Sequence, residues 1–215
     1  MTDKHGKTMD QTDSKDTAKT AKPRGRPPAF CQEQALEKAL HVFWQRGYEG
    51  ASMAELTEAL GMNKPSIYAA FGNKEELFRK ALARYQQGAV AYVREALAAP
   101  TARAVVETLL RKSAELLTNP DNPRGCLVVQ GALSCSESAN PIQQELIACR
   151  RGFEAALAAR FEQAKRAHDL PEDSDSMALA KYVATVHQGL SIQATSGATR
   201  DELNRVVDLV LQRWP

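Results

Sequence analysis

The sequence has few strand formers. Val and Ile together number 16, against 55 for Ala and Leu in a chain of 215 residues. β-Branched side chains favour pleated sheets, while Ala and Leu lose little on entering a helix, so an all-α chain is expected. No apolar run approaches the roughly 20 residues that cross a bilayer. The N-terminus is polar and holds no apolar stretch of signal-peptide length. Neither secretion nor membrane association is expected. Cysteine is scarce, and Cys31, Cys126, Cys135 and Cys149 have the spacing of neither a zinc motif nor a disulfide framework. A reducing cytoplasm is the expected compartment, with no metal and no cofactor. A nucleophile elbow, a phosphate loop and an acid–base pair in a recognisable context are also missing. These absences argue against an enzyme.

What is present is ordinary globular material, 43% hydrophobic and 25% charged, enough for a sizeable core. The net charge of +2 is unevenly placed. Residues 1–29 carry seven Lys and Arg against four Asp, whereas residues 81–215 carry fifteen of each sign. A basic arm on a neutral body points to an anionic partner for the arm. Residues 1–22 are almost wholly polar and cannot offset the entropy of ordering. Residues 1–29 are therefore expected to form a disordered basic arm. Within it, Pro23-Arg24-Gly25-Arg26-Pro27 has the core of an AT-hook, in which Arg24 and Arg26 lie along a narrow A·T-rich minor groove. A merely solubilising tail is the plain alternative.

From Phe30 the pattern is helical. Leu36, Leu40 and Phe43 make one stripe that Gly47 ends. Ser52-Met53-Ala54-Glu55 reads as a capping box opening a short helix that stops at Gly61. Asn63 caps a second short helix running to about Phe71. Asn73-Lys74-Glu75-Glu76 opens a long one whose stripe, Phe78, Leu82, Tyr85, Ala89, Tyr92 and Ala96, continues towards Pro100. Further helices follow: one through Val106–Leu117, an apolar and therefore buried one over 126–135, one from Pro141, and two closing the chain. About nine are expected in total.

Residues 52–71 fit two short helices joined by a glycine turn, with Leu56, Leu60, Met62, Ile67 and Ala70 inward. Gly61 supplies the positive φ of a tight turn. The second helix then presents Lys64, Ser66, Tyr68 and Ala69 outward, as in a helix-turn-helix whose second helix enters the major groove. A helical hairpin inside an all-α core would use the same inward residues.

Residues 30–80 resemble the DNA-binding domain of the TetR family of bacterial repressors. The likeness runs through Ala39, Phe43, Gly47-Tyr48, Ser52-Met53, Leu60-Gly61-Met62, Lys64, Ile67-Tyr68, Phe71 and Asn73-Lys74-Glu75-Glu76-Leu77. Thr57 and Pro65 depart from the pattern. Thr57 can return its hydroxyl to a carbonyl of the preceding turn, and Pro65 lies in a first turn, where proline costs little. The resemblance implies an N-terminal three-helix DNA-binding domain over 30–78 and a helical ligand-binding and dimerisation domain over 79–215. It also implies that Lys64, Tyr68 and Lys74 contact phosphates and that Ser52 offers a helix start to another. Ser66 and Ala69 are short enough to let the helix sit deep against base edges. No Arg, Asn or Gln projects from the middle of this helix, so DNA shape and the arm are expected to carry part of the specificity.

In the second half, the resemblance implies that the last two helices form a dimer interface, with Val183, Val186, His187 and Leu190 on one and Val206, Val210 and Trp214 on the other. Tyr85, Tyr92, Cys126, Phe153 and His187 are candidates to line an effector pocket of apolar walls and polar tips; packing in the core is the alternative for each. Arg124 near Cys126, and Arg150 and Arg151 beside Cys149, suggest lowered thiol pKa values and a redox or electrophile sensor. Buried, inert cysteine is the other reading. The expected function is a homodimeric repressor on a near-palindromic double-stranded DNA operator, released by a small molecule. The competing class is an architectural A·T-rich DNA binder without ligand.

Overall fold

The computed structural model describes residues 29–131 and 139–215. Arg24, Arg26 and Cys135 lie outside them, as do residues 132–135 of the helix expected over 126–135. Among the described residues are ten helices and no strand, one helix more than expected: α1 (Ala29–Gly50), α2 (Met53–Leu60), α3 (Lys64–Phe71), α4 (Lys74–Gln87), α5 (Tyr92–Leu97), α6 (Ala102–Thr118), α7 (Leu127–Gln130), α8 (Asn140–Arg166), α9 (Ser176–Thr195) and α10 (Arg200–Gln212).

Local chemistry sets most boundaries. Ser52, Asn73 and Thr199 each close a capping box with the Glu three residues on, and Asn63, Thr101 and Asp175 cap α3, α6 and α9 through single side chains. Gly47 breaks the helical backbone of α1 at φ 71°, ψ 178°, and one further turn runs on to Gly50. The long helix expected from Asn73 towards Pro100 is two. The Gly88 backbone, at φ −103° and ψ −89°, ends α4, and the chain re-enters a helix at Tyr92. The apolar stripe runs through this break because the same side of both helices faces the core. Periodicity alone therefore could not register it.

An aromatic cluster locks α1 onto α4. Phe43 and Phe78 meet edge-on at 5.1 Å, Tyr48 and Phe78 at 5.3 Å, and Trp44 and Tyr85 at 4.7 Å. Phe43, Phe78 and Tyr85 are fully buried. Arg84 pairs with Glu37 across the same seam. The hairpin of α2 and α3 packs on this cluster through Leu56, Leu60, Ile67 and Phe71. The recognition pair is thus seated on α1 and α4, and α4 runs without interruption past residue 78 into the second half of the chain.

In that second half, α6 packs against α9 and α10, and α8 lies along α9. Val183, Leu190, Val210 and Trp214, expected at a dimer interface, are buried inside their own chain. Their stripes face this internal core, so the outer faces of α9 and α10 are different ones. Those faces carry Val186, which is half-buried, and Val206, Leu209, Met177, Tyr182 and Ile192, which are exposed.

Candidate functional site

The helix pair has the geometry of a major-groove reader. Gly61 adopts the left-handed conformation, φ 65° and ψ 29°, where a Cβ would be strained. Its N–H donates to the Glu58 carbonyl at 3.1 Å, and the Met62 N–H donates to the Thr57 carbonyl at 3.2 Å. The Thr57 hydroxyl donates to the Ala54 carbonyl at 2.7 Å, the back-bond expected of that departure from the family pattern. Pro65 lies in the first turn of α3, and the Ser66 N–H donates to Asn63 Oδ1 at 2.9 Å. At the other end Lys80 Nζ donates to the Phe71 carbonyl at 2.7 Å.

Ile67 and Phe71 are buried and Ala70 packs half-buried beside them, so the other face of α3 points out. Lys64, Ser66 and Ala69 are exposed, and Tyr68 is 41% exposed. Lys64 Nζ lies 5.7 Å from the Tyr68 ring centroid, so the ammonium and the phenol share one edge of the helix. Lys74 is half-buried, with Nζ 4.6 Å from the Tyr48 ring centroid. Burial draws its pKa down, opposed by Glu49 and Glu55. Ser52 differs from its expected role. Its hydroxyl accepts from the Glu55 N–H at 3.1 Å and donates to Glu55 Oε2 at 3.0 Å. The Ser52 backbone N–H, which donates to Glu55 Oε2 at 2.9 Å, and then the Ser52 hydroxyl hold the Glu55 carboxyl below its usual pKa. A carboxylate therefore occupies the start of α2, which weakens the case for a phosphate there.

Behind this reader lies a cavity of about 240 Å³ between α4, α5, α7, α8 and α9. Tyr85, Cys126, Phe153 and His187, four of the five expected residues, line it. Tyr92 does not: it is buried, and its hydroxyl is 3.0 Å from His187 Nε2. Val90, Val93, Val128, Val129, Cys149, Gln86, Gln188, Arg94 and Arg150 complete the lining. Of these, only Cys149 and Arg150 had drawn notice in the sequence, and only for thiol chemistry. The others come together through tertiary packing, and none belongs to a local motif. Burial lowers the His187 pKa to about 4, so the imidazole is neutral at physiological pH. Burial raises the Tyr85 pKa well above its usual value. The Tyr85 hydroxyl donates to Cys126 Sγ at 3.3 Å. The Cys149 pKa is raised, not lowered: burial pushes it up, the hydrogen bond from Gln86 only partly offsets this, and Glu145 adds to the rise. That counts against Cys149 as an activated thiol.

One contact unseen in the sequence joins reader and cavity. Trp44 Nε1 donates to the Gly125 carbonyl at 2.7 Å, in the buried interior. Gly125 sits at φ 88°, and a Cβ there would lie 2.5 Å from Gln130 Nε2 and 2.6 Å from Thr195 Cγ2. The next residue, Cys126, is in the cavity wall. Among the described residues no group of His, Cys, Asp and Glu could hold a metal, and no helix is long and apolar enough to cross a membrane.

A capped two-helix reader fused through one continuous helix to a cavity-bearing bundle defines a helix-turn-helix DNA-binding regulator. Comparison with known proteins agrees. The family model for bacterial regulatory proteins of the tetR family matches residues 35–81, and that for a tetracyclin repressor-like C-terminal domain matches residues 102–210. The HTH-type transcriptional repressor ComR of Escherichia coli (strain K12) is 33% identical over 206 residues, 95% of this chain and 97% of that protein. BdcR of the same strain, also an HTH-type transcriptional repressor, is 30% identical over 87% of this chain and 90% of its own. A cysteine variant of the TetR family regulator CifR, solved with 26-bp double-strand operator DNA, superposes with a TM-score of 0.84. It is 44% identical over 88% of this chain and 100% of that one. The chain belongs to the TetR family and is a DNA-binding transcriptional regulator, not an enzyme.

Proposed function

We propose that this regulator is a repressor: a cytoplasmic homodimer that holds a near-palindromic operator and is released when a small molecule fills the 240 Å³ cavity. The observation that carries the reading is the exposed face of α3. Lys64, Ser66, Tyr68 and Ala69 stand clear of the fold while Ile67 and Phe71 anchor the helix beneath them. CifR, of the same architecture, was solved with operator DNA, and ComR and BdcR are repressors by name.

In this reading Lys64 and Tyr68 meet phosphates, Ser66 and Ala69 approach base edges, and Lys74 supports the positive field from behind Tyr48. The outer apolar faces of α9 and α10, with Val186, Val206 and Leu209, supply the contact between protomers. The two recognition helices must then lie about 34–36 Å apart to reach successive major grooves. Effector binding changes that spacing. Moving the population from one state to the other requires a differential affinity of about 10⁴.

The test is operator affinity in variants of the reading face. Lys64→Ala and Tyr68→Phe, with helix content and thermal midpoint unchanged, are expected to weaken binding, and Lys64→Ala to reduce the slope of log affinity against log salt by about one. Unchanged affinity in both would remove α3 from the interface.

A further inference from the structure

Among the described residues, the lining of the cavity beside α7 holds two arginines and no other ionised side chain. Arg94 reaches it from α5 and Arg150 from α8, with no Asp or Glu in its lining and His187 neutral. Its walls are otherwise mostly aliphatic and aromatic, Val90, Val93, Val129 and Phe153 among them. Several other arginines are committed: Arg79 to Glu75 and Glu145, Arg84 to Glu37, and Arg160 to the Ala99 and Pro100 carbonyls. Arg94 and Arg150 have no ion pair and no hydrogen-bonded acceptor among the described residues. Two uncommitted guanidinium groups beside an apolar chamber suit a ligand with one anionic end and one apolar end.

We infer that the cavity binds a small amphiphilic carboxylate, its head group on Arg94 and Arg150 and its hydrocarbon body against Val90, Val93, Val129 and Phe153. The proposal rests on the reading of this cavity as the effector site. A cavity of about 240 Å³ suits a short-chain ligand, and hexanoate serves as the probe. Exposed Arg94 and half-buried Arg150 offer a carboxylate charged donors, while a neutral alcohol of equal length leaves those donors to water. A cationic head group is repelled.

The experiment uses the full chain and four probes at constant ionic strength: hexanoate, hexanol, hexylammonium and acetate. Binding is followed by intrinsic fluorescence, since Trp44 stacks edge-on against Tyr85 in the cavity wall, and by calorimetry. Hexanoate is expected to saturate and to bind at least about tenfold tighter than hexanol, with acetate and hexylammonium weaker still. In the Arg94→Gln/Arg150→Gln double variant, hexanoate should fall to the level of hexanol while the hexanol affinity and thermal midpoint stay put. Equal binding of hexanoate and hexanol by the natural chain overturns the proposal. So does a hexanoate preference that survives the double substitution, or failure of all four probes to bind. Operator release is assayed separately with each probe. Hexanoate that binds the cavity and leaves the operator occupied keeps the ligand class and overturns the effector reading. Release by hexanol as readily as by hexanoate keeps the effector reading and overturns the anion.

Discussion

Single side chains divide between holding the recognition pair and reading with it. Asn63 holds: its Oδ1 accepts the Ser66 N–H at the start of α3. In the proposed function Tyr68 reads: it is exposed, and among the described residues its ring meets the Lys64 ammonium. Asn63→Ala should therefore cost about 1 kcal/mol of folding stability, measurable by urea unfolding, whereas Tyr68→Phe should leave stability unchanged. A Tyr68→Phe loss as large as that of Asn63→Ala would reverse this division. His187 belongs to the same scale. Its folded pKa is near 4 against the usual 6.5 because burial disfavours the charged ring. Between those values the unfolded chain binds more protons than the folded one, so stability rises with pH across the window. The contribution is complete above about pH 6.5 and lost as pH falls towards 4. His187→Gln removes it, so the advantage of the natural chain over the variant in thermal midpoint should shrink on acidification from about pH 7 to pH 4. A constant difference would contradict the burial of a neutral imidazole. Much at this scale was legible in the sequence, because caps and turns are local: Ser52, Asn63, Asn73 and Gly61 all do what their spacing implies. Of the two readings of the Cys149 thiol, burial favours the inert one, a choice that sequence neighbours alone do not make because burial decides its pKa.

Among the elements, the link between cavity and reader runs through α1 and the turn before α7. Trp44 leaves α1 to bond the Gly125 carbonyl, and Cys126 follows directly in the cavity wall. A contact between residues 81 apart in sequence leaves no periodic signal, which is why it was invisible beforehand. Trp44→Phe keeps a ring against Tyr85 but leaves a buried carbonyl without its donor. The expected cost is roughly 1–3 kcal/mol, with a corresponding fall in the urea midpoint. An unchanged midpoint would mean that the indole N–H contributes nothing there. The break at Gly88 was hidden for a related reason: an apolar stripe records which side faces the core, not whether the helix carrying it is continuous.

For the molecule as a whole, the proposed dimer turns on which faces of α9 and α10 remain free. The stripe expected at the interface, Val183, Leu190, Val210 and Trp214, is the internal core of each chain. Both sides of α9 and α10 carry apolar residues, and their pattern alone does not rank one side over the other. Burial ranks them. Leu209 is 61% exposed and Val206 41% exposed, so a charge at either should leave the single chain folded, within about 0.5 kcal/mol. Leu209→Glu should nevertheless convert a dimer into a species of one 23.6 kDa chain in sedimentation equilibrium. A variant that remains dimeric would move the interface elsewhere.

The central claim is that this chain reads a specific operator as a dimer through α3. Fluorescence anisotropy tests it most directly, using the purified protein on labelled DNA from upstream of its own gene, with excess competitor DNA and a salt series. The account predicts saturable, competitor-resistant binding with two protomers per site and a steep salt dependence. Binding that competitor DNA abolishes and that follows only A·T content would contradict it, and would assign the protein to the architectural class instead.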